Sequence, residues 1–182
     1  MSILAISPGL TELNRPALLD VGRHDRLRFA SGDDALDEWL GRYAGQNRRR
    51  DTAATWVIAD TEDTVVAYAT ISMSAIDRSS APASIARQAP NPVPALLIGR
   101  LAVDRRYSGL GVGTALVGHV LATATELNAK AACRAVVVNA LRTSARGWWE
   151  HLGFSPFDPA DEESLDLFLL TANIDATLRR LS

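Results

Sequence analysis

Residues 100–114 read Arg100-Leu-Ala-Val-Asp-Arg-Arg-Tyr-Ser-Gly-Leu-Gly-Val-Gly-Thr114. Three glycines stand at alternate positions, after an apolar run that ends at Val103 and before a proline-free segment with helical spacing. Glycine lets a backbone approach an anion closely, and the amides of a first helical turn lack helical acceptors and lie at the positive end of the helix dipole. The segment therefore predicts a strand, a phosphate-binding turn and a helix.

The spacing of the glycines tests which known kind of phosphate-binding turn this segment resembles. A P-loop requires a lysine and then Ser or Thr after its last glycine, whereas Gly113 is followed by Thr114 and Ala115. A dinucleotide-binding turn requires G-x-G-x-x-G early in a βαβ unit, but these glycines are spaced two and two and lie late in the chain. The P-loop design is therefore excluded, and the dinucleotide-binding design fits poorly. A plain strand-to-helix turn would not need three alternating glycines with a basic residue ahead of them.

The segments around the turn predict alternating strands and helices. Ser31-Gly32-Asp33-Asp34 supplies capping residues for a helix whose apolar positions recur at i, i+3, i+4 and i+7, as Leu36, Trp39, Leu40 and Tyr43. The other predicted strands cover 27–29, 55–59, 65–72, 95–103, 134–138, 154–157 and 165–170; the other predicted helices cover 114–127, 144–152 and 174–181; a proline-rich loop covers 77–94. The succession of strand and helix indicates the α/β class.

Composition places the chain among ordinary globular proteins. A length of 182 residues with 47% hydrophobic residues predicts one domain over 1–182. The single cysteine, Cys133, excludes a disulfide framework and favours a reducing compartment. Residues 1–10 lack a basic start, and no apolar run reaches the roughly 18 residues of a membrane span, so we expect a cytoplasmic protein without membrane contact. The net charge of -2 means that binding to nucleic acid would need a local basic patch.

Two motifs give the chain a resemblance to a known family. Arg106-x-x-Gly109-x-Gly111 resembles the acetyl-CoA pyrophosphate loop of the GNAT family of N-acetyltransferases, whose signature is Gln/Arg-x-x-Gly-x-Gly/Ala. Ala145-Arg-Gly-Trp-Trp-Glu-His-Leu-Gly-Phe154 resembles that family's later motif, A-x-x-F-Y-x-x-x-G-F. The resemblance implies a GNAT fold with a core of about 27–171. In this fold a central mixed, mostly antiparallel sheet is flanked by helices, and a splayed strand pair binds acetyl-CoA.

The resemblance also implies which residues bind acetyl-CoA. The end of the strand would contact the pantetheine arm, the glycine turn would hold the pyrophosphate, and a residue at the end of a later strand could touch the pantetheine. These implied cofactor residues are Leu101, Ala102, Val103, Arg106, Ser108, Gly109, Leu110, Gly111, Val112, Gly113, Thr114 and Asn139. The backbone amide near Val103 would hold the oxyanion that forms when an amine attacks the thioester.

The front half of the chain resembles the toxin branch of this family. The matching segments are Phe29-Ala-Ser-Gly-Asp-Asp-Ala-Leu-Asp-Glu-Trp-Leu40, then Tyr43-Ala44 and Thr55-Trp56-Val57. Members of that branch acetylate the amino group of aminoacyl-tRNA, are neutralised by a ribbon-helix-helix antitoxin and are usually dimers. A local basic patch at Arg42, Arg48, Arg49 and Arg50, which Arg142 and Arg146 could extend, is the candidate tRNA surface. A solvated helix end explains the same residues equally well.

Trp149 departs from the family pattern. It stands where a tyrosine commonly protonates the departing CoA thiolate, and an indole N–H is too weak an acid for that role. Water or another tyrosine could supply the proton, the thiolate could leave unprotonated, or the enzyme could be impaired. Two other functions therefore stay open: acetylation of a small-molecule or peptide amine, and a degenerate module that only binds acetyl-CoA.

Overall fold

The computed structural model describes residues 3, 4 and 12–181. Its strands are β1 (Ile3–Leu4), β2 (Leu13–Asn14), β3 (Ala17–Leu18), β4 (Ala54–Ala59), β5 (Val65–Ile76), β6 (Val93–Val103), β7 (Ala135–Asn139), β8 (Ser155–Pro156) and β9 (Asp166–Leu170). Its helices are α1 (Asp34–Glu38), α2 (Ala44–Arg49), α3 (Ala83–Ala86), α4 (Val112–Asn128), α5 (Thr143–His151) and α6 (Ile174–Leu181). A π-helical turn, Trp39–Tyr43, joins α1 to α2, and 3₁₀ turns cover Arg105–Tyr107 and Thr171–Asn173.

Seven of these strands form a mixed, mostly antiparallel sheet in the order β3-β4-β5-β6-β7-β9-β8, while β1 and β2 pair as a separate two-stranded antiparallel sheet. The neighbours β6 and β7 are parallel, with Ala95–Ile98 opposite Ala135–Val138. Their pairing ends at Ile98, although β6 continues to Val103. The α/β class and the predicted GNAT architecture are thus confirmed.

The chain divides into two compact units. One comprises Met1–Ile71 and Arg100–Val120, and the other comprises Ser72–Gly99 and Leu121–Ser182. In the first unit a core cluster surrounds the fully buried Tyr68, and in the second a cluster includes Ile85 and Phe168. A single domain over 1–182 stays a prediction.

The first helix begins as predicted, because the Asp33 carboxylate accepts hydrogen bonds from the amides of Ala35 and Leu36 at 3.1 and 3.2 Å. Its predicted apolar stripe is wrong at one position. The π-helical turn adds a residue, so the amide of Ala44 donates to Trp39 O, and Ala44 is buried while Tyr43 is 43% exposed.

Two other predictions need correction. Residues 27–29 form a turn rather than a strand. An apolar residue stands at position 29 because Phe29 is buried edge-on against Tyr68, with ring centroids 5.5 Å apart. The predicted 77–94 loop contains α3, whose Ile85 is fully buried, and Val93 already belongs to β6. No helix among residues 12–181 is long and apolar enough to span a bilayer.

Candidate active site

The glycine-rich turn connects β6 to α4 inside one compact unit. The chain leaves β6 at Val103, passes through the 3₁₀ turn Arg105–Tyr107, and enters α4 at Val112. Tyr107 is buried beneath this turn, while Ser108, Gly109 and Gly111 are exposed. The predicted strand, turn and helix are therefore all present.

Asp104 anchors the turn from inside. Its side chain is 1% exposed, and its carboxylate accepts the Arg106 amide at 3.0 Å and the Ala30 amide at 3.1 Å. The guanidinium of Arg106 adds bonds of 2.9 Å to each carboxylate oxygen. Burial alone would raise the pKa of Asp104, but these hydrogen bonds outweigh it and hold that pKa below its ordinary value. Asp104 was missed in the sequence, although an aspartate before a turn is a common capping signal.

Packing among the described residues does not explain why Gly109 and Gly111 are glycines. Gly109 and Gly111 have φ angles of 75° and 82°, which other residues adopt only with strain. A Cβ added at either position would meet no atom of residues 12–181 within 4 Å. These backbone positions thus border open space, where a ligand can approach them closely.

The amides of the turn are available to an anion. Ala115 donates to Gly111 O at 2.9 Å, but the hydrogen bonds of residues 12–181 give no backbone acceptor for the amides of residues 109–114. They lie at the N-terminus of the seventeen-residue α4, where the helix dipole favours negative charge. The arrangement can bind a phosphate or diphosphate.

The structure divides the predicted cofactor residues between the two units. Asn139 ends β7 in the second unit, where its Nδ2 donates to Asp166 Oδ1 at 2.7 Å. All the others belong to the first unit: Leu101, Ala102 and Val103 in β6; Arg106, Ser108, Gly109, Leu110 and Gly111 in the turn; Val112, Gly113 and Thr114 in the first turn of α4.

Trp149 lies in the second unit, on α5, and is 4% exposed. Its ring packs edge-on against Trp148 and Phe154, with centroids 4.9 and 5.0 Å away. The indole of Trp149 therefore packs in the core of this unit. Its assignment to the site stays a prediction.

The arginines of the predicted basic patch differ in exposure and in their ion pairs. Arg42 forms an exposed ion pair with Glu38 at 3.0 Å, while the side chains of Arg48, Arg49 and Arg50 are exposed at the end of α2. Arg146 does not extend the patch, because its side chain is only 12% exposed; it bonds to Glu150 and to the carbonyls of residues 161, 162 and 164.

Cys133 has the core position that its place before β7 predicts. It is buried, and its Sγ donates to Ala135 O at 3.2 Å. Burial raises the pKa of this thiol, which disfavours the reactive thiolate.

The mixed sheet and the exposed glycine turn between β6 and α4 are the arrangement that the resemblance to the GNAT family predicts. Residues 19–154 match the sequence model of the Acetyltransferase (GNAT) family, and the chain belongs to that family. It is an acetyltransferase.

Proteins similar to this chain include toxins. The chain is 31% identical over 137 residues to a tRNA-acetylating toxin of Mycobacterium tuberculosis, which covers 74% of this chain and 82% of the relative. It is 26% identical to the solved structure of AtaT complexed with acetyl-methionyl-tRNAfMet, with a TM-score of 0.81 over 90% of this chain and 98% of that one. A mutant of the toxin AtaT, bound to the C-terminus of the antitoxin AtaR and acetyl-CoA, gives 26% identity and a TM-score of 0.76 over 90% and 96% of the two chains.

Proposed function

We propose that this chain is a toxin-like enzyme that transfers the acetyl group of acetyl-CoA to the amino group of an aminoacyl-tRNA. The observation that carries the proposal is the turn at Gly109 and Gly111. It has positive φ angles, and within the described part of the chain it has open space beside it and amides without backbone acceptors. The tRNA-acetylating relatives supply the class of acceptor.

The turn fits the diphosphate of CoA in both shape and charge. The amides of residues 109–114 would donate to the phosphate oxygens, and the absent Cβ atoms leave room for close approach. Bound acetyl-CoA supplies a thioester carbonyl as the electrophile. Leu101, Ala102 and Val103, at the end of β6, offer backbone groups to the pantetheine amides, and Asn139 is a further candidate contact.

Little acid–base chemistry is required of the protein. The ester of an aminoacyl-tRNA lowers the pKa of its own α-amine, so the neutral nucleophile is abundant near neutral pH. The amide of Val103 would stabilise the oxyanion. A thiolate with a pKa near ~8.5 can leave with little assistance, so a tyrosine at position 149 is not required.

The acceptor needs a basic surface because phosphate contacts dominate affinity for nucleic acids. Arg42, Arg48, Arg49 and Arg50 are exposed on the segment from the π-helical turn to the end of α2. They are the proposed tRNA-contacting residues.

The cellular setting follows from the toxin branch. A cytoplasmic homodimer, composed of single acetyltransferase domains, is proposed, with a ribbon-helix-helix antitoxin as its neutralising partner. An antitoxin is bound to the related AtaT mutant.

One observation favours a second candidate function. The burial of Trp149 among Trp148 and Phe154 is also what a degenerate module that only binds acetyl-CoA would have. A module of that kind binds CoA without turnover, whereas an acetyltransferase for small-molecule or peptide amines turns over free amines.

The decisive experiment incubates the purified chain with acetyl-CoA and either aminoacyl-tRNA, uncharged tRNA or free amino acid. Mass spectrometry should detect N-acetyl-aminoacyl ester only with the charged tRNA, together with stoichiometric free CoA. Turnover of free amines without acetylation of any charged tRNA would establish the small-amine alternative instead. CoA binding with no turnover would establish the degenerate module.

A further inference from the structure

Arg100 forms a fixed, exposed cationic group on β6. Its Cζ lies 4.6 Å from the centroid of the Trp39 ring. Trp39 is buried and stacks on Tyr68 with an interplanar angle of 11°, and the Tyr68 hydroxyl donates to Leu36 O at 2.8 Å. A cation–π contact of this kind on a rigid ring limits the rotamers of the arginine.

The charge of Arg100 has no carboxylate partner in the part of the chain that the structure describes. Other arginines of the same unit are held by carboxylates, as in Arg23 with Asp63 and Arg28 with Asp25. None of the ion pairs or side-chain hydrogen bonds found among residues 12–181 includes Arg100. Its guanidinium edge therefore keeps its donors for an external anion.

The neighbours of Trp39 suit a single-stranded nucleic acid. Arg42 and Tyr43 follow Trp39 by three and four residues in the π-helical turn, and both are exposed. Exposed aromatic rings and guanidinium groups on one surface are the usual means of binding unpaired nucleotides. The acceptor end of a tRNA is a single strand of this kind.

The distance along β6 matches the geometry of an aminoacyl ester. Three residues separate Arg100 from Val103, which corresponds to roughly 10 Å of strand. The covalent path from the α-amine through the ester and ribose to the phosphorus of the terminal nucleotide also extends roughly 10 Å. The terminal phosphate could therefore reach the side chain of Arg100 while the amine attacks a thioester whose carbonyl lies at the amide of Val103.

We propose that Arg100, stacked on Trp39, binds the phosphodiester of the 3′-terminal nucleotide of the aminoacyl-tRNA. This inference rests on the proposed function and names a residue that makes the enzyme specific for its tRNA acceptor. The planar guanidinium can donate two parallel hydrogen bonds to one phosphate, which the ammonium of a lysine cannot reproduce. Arg100 therefore favours acceptors that carry this phosphate over free amino acid derivatives.

The test compares Arg100→Met and Arg100→Lys with the wild type on two acceptors, an aminoacyl-tRNA and the methyl ester of the same amino acid. Methionine still covers Trp39 with an apolar side chain, so the melting temperature should not change. Loss of a charged hydrogen bond is expected to raise KM for the tRNA by roughly 10- to 100-fold with kcat unchanged. For the tRNA, the slope of log KM against log salt concentration should fall by about 0.7 in Arg100→Met. It should fall by less in Arg100→Lys, which keeps the positive charge.

The methyl ester and a control variant separate the possible outcomes. Arg28→Met removes another exposed arginine of the unit and should leave both acceptors unaffected. An equal loss with the methyl ester would overturn the inference in favour of a structural role. An unchanged KM for tRNA in Arg100→Met, with an active wild type, would overturn the inference alone. A wild type that acetylates no aminoacyl-tRNA would overturn the proposed function and the inference together.

Discussion

Asp104 and Arg106 are joined twice, through the backbone and through the side chain, with the amide and guanidinium of Arg106 both donating to the same buried carboxylate. The Ala30 amide adds a third donor from the segment before α1. These bonds fix the backbone at residues 104–106, from which the chain enters the glycine turn. Preorganisation of this kind lowers the entropic cost of binding.

The first prediction concerns Asp104→Asn. The variant should lose about 2 kcal/mol of stability, because it removes an ion pair and leaves buried donors without full partners. CoA affinity should fall with it. Chemical denaturation and calorimetry measure the two effects. Asp63→Asn, which removes only an exposed ion pair with Arg23, is the control and should bind CoA normally.

The sign of the pH dependence follows from the lowered pKa of Asp104. A carboxyl with a depressed folded-state pKa stabilises the protein above its unfolded pKa near ~3.9, and this contribution is lost as the pH falls through the folded value. The stability difference between wild type and Asp104→Asn should therefore shrink below about pH 4. A difference that is constant from pH 7 down to pH 3 would contradict the assignment.

A second prediction concerns Trp149. Because an indole N–H does not donate a proton near neutral pH, Trp149→Phe should keep kcat within about threefold of the wild type. Trp149→Tyr, which supplies a phenol with a pKa of about 10, should also keep kcat within about threefold, because the thiolate leaves with little assistance. Steady-state assays of free CoA, with melting temperatures as the check on folding, measure both. A loss above about 100-fold in the phenylalanine variant would show that the indole takes part in the reaction.

A third prediction separates the two interpretations of the arginine run at the end of α2. Replacing Arg48, Arg49 and Arg50 together by Gln should raise KM for aminoacyl-tRNA. The slope of log KM against log salt concentration should fall by about 0.9 for each phosphate that an arginine no longer neutralises. CoA affinity should stay the same. If the triple variant acetylates tRNA with wild-type KM at every salt concentration, these residues are merely a solvated helix end.

Much of the site could be predicted because its signals are local. Alternating glycines, an adjacent strand and a long helix stand within residues 100–128, so spacing alone predicted the strand, the exposed turn and the helix that the structure has. The terminal helix, Ile174–Leu181, was predicted to the residue for the same reason.

The features that the sequence did not predict depend on contacts between distant segments. The bond from Ala30 to Asp104 spans 74 residues, and the Arg100 to Trp39 contact likewise joins separate elements. No periodicity encodes such pairs. The π-helical turn that exposes Tyr43 was also missed, because its extra residue breaks the 3.6-residue period from which the stripe was derived.

The central claim is that the turn at Gly109 and Gly111 binds the diphosphate of CoA. Its most direct test is calorimetry of CoA binding to Gly109→Val and Gly111→Val, because a β-branched side chain strains a positive φ and occupies the open space beside the amides. Gly118→Ala, in the middle of α4 with nothing within 4 Å of the new Cβ, is the matched control. The account predicts that each valine variant weakens CoA binding at least tenfold, about 1.4 kcal/mol, while remaining folded and while the control binds like the wild type. Wild-type CoA affinity in both valine variants would contradict it.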